Sequence, residues 1–590
     1  MNIAVHNLDS WTLQLLRQTS QHVRDHNQQA YLTGGSIRNL LLNEPCTDWD
    51  IVTSGDASLL ARTLADKLEG HYVHMHDKAS RVVVKHQQQE TILDIAPLKG
   101  NTIEEDLHQR DFTINAIAAP LAEVTHYLDV GNPIQLIDPL NGLADISARR
   151  LKAVNDNVFK HDPLRMLRAI RLNMRYQLSI DPSTEHLIKR DAKLLLLAAP
   201  ERIHDELYAI LEPDGATGQL RYLDALGLLT VLMPEFIPAR GMPQPSPHYW
   251  DVLEHSLEAV GALERLATLL TPSSHQEEHG RTGPIYRALG REANLLRVDF
   301  LSTETTETME TTETTGTGSR WNPAWGAGNP PHPTSLHPYG HDGPLPKNLP
   351  LRGEVNAAPR PDTDTTQNDL AEIRTLLQEA EQQGIFQLAS LAAPRMKLAA
   401  LLHDIGKPIT YFTDEVGKIH FYDHPQAGIP LAQRIMTRLS ASTQDRRLVQ
   451  LVTAHHMRPG QLAHVDLVTP RAVRRYFVDL GPTGIHVALF SLADHLATPG
   501  PLWDEYIKRP DNSWERHLAL VRTLLTRYIR ERQSILPTRL VSPEELIRRL
   551  KLQPGPIIGQ LLEHIAEAQA EGLVHSKEEA IWLAEEKLPQ

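Results

Sequence analysis

The chain has 590 residues, which is more than a single hydrophobic core supports, so we expect roughly three to five domains. Hydrophobic residues make up 41% of it, and no apolar run reaches the roughly 18 residues of a membrane-spanning helix, so no membrane partner is expected. The net charge of −14 excludes a uniformly basic nucleic-acid binder, but local lysine and arginine clusters can still bind RNA phosphates. Cys46 is the only cysteine, which excludes an intrachain disulfide and, with no signal-peptide pattern at the start, indicates a cytoplasmic protein.

Hydrophobic patterning divides the chain into regions of different character. Up to about residue 150, short β-rich runs mix with helical ones, which predicts an α/β head with a small mixed sheet. Apolar residues then recur at steps of three and four, which predicts mostly α-helical domains in a multi-domain chain. A Thr/Glu run and a Pro/Gly-rich stretch interrupt this pattern, and neither buries enough apolar area to offset its ordering entropy. We therefore predict a head (1–150), a helical neck (151–245), a second helical domain (246–271 with 369–500), a disordered insertion (272–368) and a helical tail (501–590).

A Gly-Gly pair separates a short apolar strand, which ends at Thr33, from a helical run that begins at Ser36. Glycines allow a tight turn and a close backbone approach, and the free N–H groups of a helix N-terminus suit phosphate oxygens. Arg38 adds positive charge in the first turn. A Gly-Gly pair such as Gly34 and Gly35 more often forms a turn with no catalytic role, so nearby candidate catalytic residues are needed to support a phosphate site.

Asp48 and Asp50 are such neighbours, because side chains two residues apart on a strand point to one face. Two carboxylates on one face repel each other unless a cation lies between them, and oxygen ligands suit Mg²⁺ bound together with substrate phosphates. Asp94, flanked by apolar residues, is a tentative third ligand. Paired metal ions about 4 Å apart can activate a hydroxyl and stabilise departing pyrophosphate. We predict Asp48 and Asp50 as catalytic metal ligands, although either one alone would be a solvated strand end more often.

In this order the motifs resemble the class II tRNA nucleotidyltransferases and the bacterial poly(A) polymerases. The resemblance continues through DLHQRDFTINAIA, DPLNGLAD, HDPLRMLRAIRL and ERIHDEL, and covers about residues 30–210. It implies transfer of nucleotides from CTP and ATP to the 3′ end of tRNA. The implied nucleotide contacts are Gly34, Gly35, Ser36, Arg38 and Arg110 for the triphosphate, Asp111 for the ribose, and Asn115 nearby.

Three positions depart from the pattern of that family. The first arginine of its Arg-Arg-Asp motif is Gln109 here, the aspartate that usually follows Arg38 is Asn39, and the glutamate that usually precedes Asp162 is His161. None of these changes removes a metal carboxylate, so we expect the chemistry to be retained.

Asp162 and Arg165 lie three residues apart on a predicted helix, and the resemblance implies that they read the Watson–Crick edge of the incoming base. The residues alone also allow Asp162 to cap the helix before Pro163, with Arg165 on a solvated face. Arg168 continues this face, is assigned to the nucleotide as well, and begins a basic patch that can contact RNA phosphates. An ordinary charged helix face is the alternative for the patch.

One short segment bears on the product. Only LKGNTI separates ILDIAP from EEDLHQRD. Members of the resembling family that add the full CCA generally have a longer segment there, and its loss marks those that add only CC. We therefore predict addition of CC, with full CCA addition as the alternative.

A second set of possible metal ligands lies further along. His403 and Asp404 are adjacent at the end of an apolar helical run, and an imidazole with a carboxylate suits Mn, Ni, Co, Fe or Zn better than Mg²⁺ alone. Any single histidine is more often structural, but the whole series predicts a metal site. Its other members are His255, His424, His455, His456 and Asp494.

This series resembles the HD phosphohydrolase superfamily, and its extra histidines resemble the two-metal subset. The resemblance implies hydrolysis of phosphate esters by a metal-bound hydroxide, with a purely structural site as the alternative. Three other functions stay open for the chain: a poly(A) polymerase, a hydrolase that acts on RNA ends at the HD site, and a non-catalytic RNA-binding protein. The arginine-rich run 522–533 of the tail either contacts the tRNA body or forms a solvated helix.

Overall fold

A mixed sheet followed by a long succession of helices makes up the described part of the chain in this computed structural model. The described residues are 8–75, 79–86, 89–130, 134–271, 370–465, 468–502 and 513–588. The predicted insertion lies outside them, so its disorder stays a prediction. The elements below belong to one compact unit, Met1–Gln276 with Pro361–Gln590.

The head is built on a six-stranded sheet with strand order β3-β4-β5-β2-β1-β6. Strands β2 and β5 are parallel and all other neighbours are antiparallel, which confirms the predicted mixed sheet. The strands are β1 (Ala30–Thr33), β2 (Asp48–Thr53), β3 (His71–His74), β4 (Ser80–His86), β5 (Gln89–Pro97) and β6 (Ala118–Pro120). The helices of the head are α1 (Ser10–Asp25), α2 (Gly34–Leu42), α3 (Ala57–Lys67), α4 (Ile103–His108), α5 (Leu121–Val130) and α6 (Gly142–Ser147).

Alternation along β2 separates its two faces. Trp49 and Ile51 are almost fully buried in the main hydrophobic core, whereas Asp48 is exposed and Asp50 half-buried. Because successive side chains point to opposite faces of a sheet, burial of Trp49 presents both aspartates to the other face. The core thus fixes which face carries the carboxylates.

The neck follows as the predicted run of helices. A two-stranded ladder pairs β7 (Arg150–Leu151), which precedes these helices, with β8 (Ser179–Ile180), which lies between the second and the third of them. Along α8 the apolar residues Met166, Leu167 and Ile170 are buried, and arginines occupy the other positions of the same turns. The neck helices are α7 (Val158–His161), α8 (Arg165–Tyr176), α9 (Pro182–Asp191), α10 (Pro200–Leu211), α11 (Ala216–Ala225) and α12 (Leu228–Leu232).

The next domain is helical except for one small hairpin of β9 (Tyr411–Thr413) and β10 (Ile419–Phe421). Helix α13 is apolar on most of its surface and lies at the centre of this domain. Its helices are α13 (Val252–Leu270), α14 (Ala371–Gln382), α15 (Pro394–Leu402), α16 (Lys407–Thr410), α17 (His424–Arg438), α18 (Thr443–His455), α19 (Met457–Ala463), α20 (Pro470–Leu480), α21 (Thr483–Ala497) and α22 (Ser513–Arg530).

A fully buried lysine joins this domain to the neck. The Nζ atom of Lys397 lies 2.8 Å from Oε1 of Glu264 and donates to the carbonyl oxygens of Leu211 and Pro213, both at 2.8 Å. Lys397 therefore satisfies the carbonyl groups at the C-terminal end of α10. Glu264 in turn accepts the N–H group of Ala216 at the start of α11 (3.1 Å).

The tail has a small hydrophobic core of its own, which includes Val541, Leu546, Leu561 and Ile565. It comprises α23 (Arg532–Ile535), α24 (Pro543–Leu550), α25 (Pro556–Ala570) and α26 (Lys577–Glu586). Ion pairs join α25 to α20: Glu567 contacts Arg471 and Arg475, each at 2.7 Å, and Glu563 contacts Arg474 at 2.9 Å.

Two arginines of the arginine-rich run 522–533, which was predicted as part of the tail, form ion pairs within the chain. Arg522 and Arg530 pair with Glu372 and Glu379 of α14, at 3.2 and 2.6 Å. Within the described residues, no single helix is both long and apolar enough to cross a membrane. Two consecutive helices, α20 and α21, pass that test jointly by length and composition, with a 106° bend between them.

Candidate active site and metal centre

The Gly-Gly turn lies directly against a catalytic candidate. Helix α2 begins at Gly34, two residues earlier than the sequence indicated, and Gly34 has a left-handed φ of 61°. A Cβ atom there would lie 2.8 Å from Nη1 of Arg110 and 3.0 Å from Oδ2 of Asp50. The N–H group of Gly35 donates to the same Asp50 oxygen at 2.9 Å. The turn thus needs glycine both for its conformation and for the space that Asp50 and Arg110 occupy.

The strand register brings the third carboxylate beside the second. Asp50 on β2 is paired with Asp94 on β5. Burial, reinforced by the charge of Asp94 and opposed by Arg110, raises the pKa of Asp50 above its usual range. Asp94 itself accepts two hydrogen bonds from Arg81, at 2.8 and 2.9 Å. The contact of Arg81 with Asp94 was not predicted. It holds in place the carboxylate that was only a tentative metal ligand.

These carboxylates fit Mg²⁺ by their chemistry. Asp48 and Asp50 offer only oxygen ligands, and the raised pKa of Asp50 reflects a buried negative charge that a cation would relieve. Substrate phosphates usually complete the coordination of such an ion. The assignment of Asp48, Asp50 and Asp94 to Mg²⁺ stays a prediction.

A cavity of about 300 Å³ opens beside the turn, and its lining includes three aspartates and three arginines. Eight of the predicted nucleotide residues and catalytic residues line it: Gly34, Gly35, Asp50, Arg110, Asp111, Asn115, Arg165 and Arg168. Lys99, Asp106 and Gln109 line it as well and were not predicted. The mixture of one metal-suited carboxylate with three arginines matches the needs of a nucleoside triphosphate with its cation.

Ser36 and Arg38 support this cavity from behind. The hydroxyl of Ser36 accepts the N–H group of Asp50 at 2.7 Å, so it fixes the position of β2. Arg38 is buried, and it donates to Asn115 Oδ1 at 2.6 Å and to the hydroxyl of Tyr176 at 2.7 Å. Burial lowers the pKa of Arg38. The structure therefore gives both side chains roles in positioning the cavity wall; their predicted contact with the triphosphate is untested.

Asp111 is organised to accept hydrogen bonds. Its Oδ1 accepts a hydrogen bond from the side-chain amide of Asn115 at 2.9 Å and another from the backbone N–H group of Phe112 at 2.8 Å. Its Oδ2 accepts Arg168 at 3.1 Å. Burial favours the neutral acid, but Arg168 and these hydrogen bonds hold the pKa of Asp111 below its usual value. An ionised carboxylate in the wall suits a ribose hydroxyl donor.

The two predicted base-reading residues are joined through the backbone, since the N–H group of Arg165 donates to the carbonyl oxygen of Asp162 at 3.1 Å, but their side chains bond to different partners. Asp162 accepts the N–H group of Leu164 at 3.2 Å, as in the capping alternative, and its second oxygen accepts Arg202 at 3.0 Å. Arg165 donates to the carbonyl oxygens of Gln109 and Arg110, at 3.0 and 3.1 Å. Arg165 therefore lines the cavity, while Asp162 is held beside it by the neck.

Part of the predicted basic patch is also paired within the chain. Arg168 and Arg171 both contact Glu206 of α10, at 3.7 and 2.6 Å, and Arg190 contacts Asp191 at 2.7 Å. The two pairs with Glu206 brace α8 against α10, whereas the Arg190–Asp191 pair lies within α9. Binding of RNA phosphates by this face stays a prediction.

The short segment before α4 is anchored to that helix. The N–H group of Lys99 donates to Asp106 Oδ1 at 3.0 Å, and the N–H group of Asn101 donates to Glu105 at 2.7 Å. Asp106 also contacts Arg110 at 2.9 Å. Asp106 and Arg110 are four residues apart on a helical run, so this contact could have been predicted from the sequence.

The second set of ligands converges in the helical domain. Asp494 Oδ1 lies 2.9 Å from Nε2 of His255 and 3.4 Å from Nε2 of His403, and Asp404 Oδ2 lies 3.0 Å from His403. The other oxygen of Asp404 lies 3.2 Å from Nε2 of His424 and 3.5 Å from Nε2 of His456. Asp404 therefore bridges two groups of ligands, which fits a pair of metal ions. We call these six residues the HD cluster: His255, His403, Asp404, His424, His456 and Asp494.

The histidine tautomers also fit a metal. The Nδ1 atoms of His403, His424 and His456 lie 2.7, 2.8 and 2.9 Å from backbone carbonyl oxygens, so each must carry the hydrogen. This leaves the Nε2 lone pairs facing the cluster. The Nε2 atoms of His424 and His456 are 3.2 Å apart, a distance that suits either a shared proton or a metal ion that both atoms bind. Within the described residues, Nε2 of His403 and Oδ1 of Asp404 are buried without a well-formed hydrogen bond.

Charge in the HD cluster is strongly coupled. Burial alone would neutralise these groups, but their mutual attraction holds the pKa values of Asp404 and Asp494 well below the usual range. The same carboxylates overcome the effect of burial on His403 and raise its pKa to about 10. The cluster therefore attracts positive charge, as a site for a divalent cation must.

His455 is not brought into the cluster. Among the described residues, the groups of three ligand atoms within 4.8 Å of one another are His255, His403 and Asp494, and His403, Asp404 and His456. His455 instead lines an adjoining cavity. Adjacent residues on a helix point about 100° apart, so only one of the two histidines can face the ions.

Two further residues shape the HD cluster and were not predicted. Lys407 is buried, with Nζ 2.6 Å from Asp404 Oδ2 and 2.6 Å from Gln244 Oε1. Gly406 lies where α17 crosses the chain so closely that a Cβ atom would overlap the backbone oxygen of His424. Both follow the His-Asp pair directly in the sequence, which is the signal that could have identified them.

Three segments of the chain match known protein families. Residues 30–152 match the poly A polymerase head domain, residues 177–240 the probable RNA- and SrmB-binding site of polymerase A, and residues 376–498 the HD domain. The second and third segments correspond to the neck and to the domain with the HD cluster.

Curated relatives match over nearly the whole chain. An A-adding tRNA nucleotidyltransferase from Deinococcus radiodurans is 28% identical over 93% of this chain and 94% of the relative. A CC-adding tRNA nucleotidyltransferase from Thermus thermophilus is 26% identical over 94% of this chain and 92% of the relative. Among solved structures, a CCA-adding enzyme in complex with CTP has a TM-score of 0.55 at 18% identity, and covers 100% of this chain and 99% of its own. That level of identity shows a shared fold.

Proposed function

The chain belongs to the family of tRNA nucleotidyltransferases and bacterial poly(A) polymerases, in the form that carries an HD domain, and we propose that it adds nucleotides from CTP or ATP to the 3′ end of tRNA without a template. The observation that carries this proposal is the cavity that Asp50, held by the N–H group of Gly35, lines together with Arg110, Arg165 and Arg168. A pure RNA-binding protein has no use for a carboxylate whose charge burial disfavours.

Each part of the cavity has a distinct task in this reaction. Arg110, kept in place by Asp106, contacts the triphosphate, and the N–H group of Gly35 holds Asp50 beside it. Asp111 accepts a hydroxyl of the ribose, oriented by Asn115 and Arg168. Mg²⁺ held by Asp48 and Asp50 would supply the positive charge that activates the attacking 3′ hydroxyl and stabilises the leaving pyrophosphate.

Base selection follows from the rigid placement of Arg165. Its guanidinium is fixed by two backbone carbonyl oxygens, so its remaining donors point in set directions toward the cavity. Asp162, fixed by Arg202, supplies acceptors on the neck side. We infer that the base is read by this pair of side chains, with Arg202 as the residue that positions Asp162.

For the product, we propose CC addition. The segment before α4 is short, and hydrogen bonds from Lys99 and Asn101 anchor it to α4, so it does not supply a long flexible loop. A-addition is a second candidate, because an A-adding relative aligns with 93% of the chain. Full CCA addition is the alternative that the family also contains.

A primer-extension assay separates these products. A tRNA transcript that lacks CCA, and a second that ends in CC, are incubated with Mg²⁺ and CTP, ATP or both. We expect two residues of C on the first transcript and no use of ATP. Extension of only the second transcript, by one A, identifies an A-adding enzyme, and three additions to the first identify a CCA-adding enzyme. Open-ended tails with ATP alone indicate a poly(A) polymerase.

We further propose that the HD cluster hydrolyses phosphate esters with a bound divalent transition metal such as Mn, Ni, Co, Fe or Zn. This is supported by the bridging position of Asp404 between two groups of Nε2 atoms. Release of phosphate from a ribonucleotide, with Mn²⁺ or Ni²⁺ added to metal-stripped protein, tests it. Loss of that release in His403→Ala supports the assignment, whereas retention contradicts it.

A further inference from the structure

Three aromatic rings lie in a row on one face of the β9–β10 hairpin. In this antiparallel pair, Phe412 is opposite His420, so their side chains share a face. Tyr422 lies just beyond the end of β10 and joins the row by stacking on His420. The His420 and Tyr422 rings are stacked, with centroids 4.9 Å apart and planes 10° apart, and the Phe412 and His420 centroids are 6.3 Å apart. We call Phe412, His420 and Tyr422 the ring row.

The ring row is exposed and yet fixed in place. Phe412 is 54% and Tyr422 65% exposed, which is unusual for large aromatic side chains. The central ring is half-buried and held by Asp414, whose Oδ2 lies 2.7 Å from His420 Nε2. A fixed ring offers contact area at little cost in conformational entropy, which is what a binding platform needs.

The ring row ends at the HD cluster. Tyr422 lines a cavity of about 500 Å³ together with His424, a member of the cluster, and with His455 and Arg458. This volume is within the range of about 300–1,000 Å³ that is typical of small-ligand pockets, so it accommodates one nucleotide. Arg458 is half-buried and holds its charge beside the cavity through Asp479 at 2.7 Å. A phosphate group that approached His424 would therefore also approach a cation.

We propose that the ring row binds single-stranded RNA, with bases against Phe412 and Tyr422 and the terminal nucleotide in the cavity beside His424. Every base has a flat apolar face, so stacking on aromatic side chains is tolerant of sequence and suits this purpose. The inference rests on the proposed function for the kind of polymer, because the chain acts on RNA. A mononucleotide would need only Tyr422, whereas Phe412 extends the platform beyond one nucleotide.

Binding of a short RNA tests the ring row directly. A fluorescently labelled six-nucleotide oligo(A) RNA is titrated with the full chain, loaded with Mn²⁺, and followed by anisotropy. We expect Tyr422→Ala and Phe412→Ala each to weaken binding by about 5- to 100-fold, as for the loss of one stacked base. Tyr422→Phe, which keeps the ring, should bind as the parent does. Trp582→Ala removes an equally exposed aromatic ring from the tail and serves as the matched control.

Photo-crosslinking supplies a second readout, since the head can also bind the oligonucleotide. An oligo(A) with a 3′-terminal 4-thiouridine should crosslink within residues 411–426 or 454–461, which hold the ring row and the lining of the cavity. Crosslinks confined to the head, equal affinity of Tyr422→Ala and the parent, or an equal loss in Trp582→Ala would each overturn the inference. AMP that competes as well as the hexamer would also overturn it. Nucleotide addition is measured on the same preparations: a parent that crosslinks at the ring row but adds no nucleotide refutes the proposed function alone.

Discussion

Replacement of Gly34 by alanine should lower the rate of nucleotide addition far more than it lowers the stability of the head. The left-handed φ of 61° costs an alanine about 1 kcal/mol, and the added Cβ would lie 2.8 Å from Arg110 Nη1 and 3.0 Å from Asp50 Oδ2. Both of these atoms are at the ends of side chains, so they would move aside rather than unfold the head. A misplacement of about 1 Å in a reacting group costs about 100-fold in rate. We therefore expect kcat/KM for nucleotide addition to fall about 100-fold in Gly34→Ala.

Gly384 provides the matched control. Its φ of 66° is nearly the same, and a Cβ atom there would meet nothing within 4 Å. Gly384→Ala should thus carry the same backbone cost of about 1 kcal/mol with no displacement of the cavity wall. Unfolding midpoints from circular dichroism and rates from single-turnover nucleotide incorporation are measured for both variants. If Gly34→Ala retained activity within a few-fold of the parent, or if Gly384→Ala lost as much, the role assigned to the turn would be refuted.

Three further outcomes follow from buried charges. Lys397→Met leaves Glu264 buried without its partner and should lower the free energy of unfolding by about 3–5 kcal/mol. The double variant with Glu264→Gln should recover most of this loss. Urea unfolding of both variants measures the two free energies. Glu563→Ala leaves the buried Arg474 without its partner and should cost about 1–3 kcal/mol in the same assay. Glu567→Ala leaves two arginines that remain exposed to water, so the loss of those ion pairs should cost about 1 kcal/mol or less. Metal-stripped protein reloaded with Mn²⁺ should hold one ion fewer per chain in His424→Ala than in the parent, as counted by mass spectrometry; an equal count would contradict the bridged arrangement.

Local patterns were enough to predict the elements that carry the head's chemistry. The alternation of DWDIVT placed Asp48 and Asp50 on one face, and the buried Trp49 between them enforces it. The Gly-Gly signal likewise indicated a strand-to-helix turn, which is where β1 meets α2. Such features depend on residues within a few positions of one another, so the sequence alone contains them.

Contacts between residues far apart in the sequence could not be predicted from such local patterns. Arg38 turns inward to Tyr176, a residue 138 positions away, because the neck helix α8 packs behind the cavity. The Arg81–Asp94 pair depends on the register of β4 against β5, which no local pattern fixes. The choice between His455 and His456 depends on the rotation of α18 about its axis, and two adjacent histidines give equal local signals.

The most direct test of the account is incorporation of a labelled nucleotide by the parent and by Asp50→Asn, each with Mg²⁺ and a tRNA transcript that lacks CCA. The account predicts extension of the transcript with release of pyrophosphate by the parent, and a loss of several orders of magnitude in Asp50→Asn at equal folding. Equal incorporation by both proteins would contradict the account. It would also be contradicted if the parent incorporated neither CTP nor ATP on transcripts that end before or within CCA.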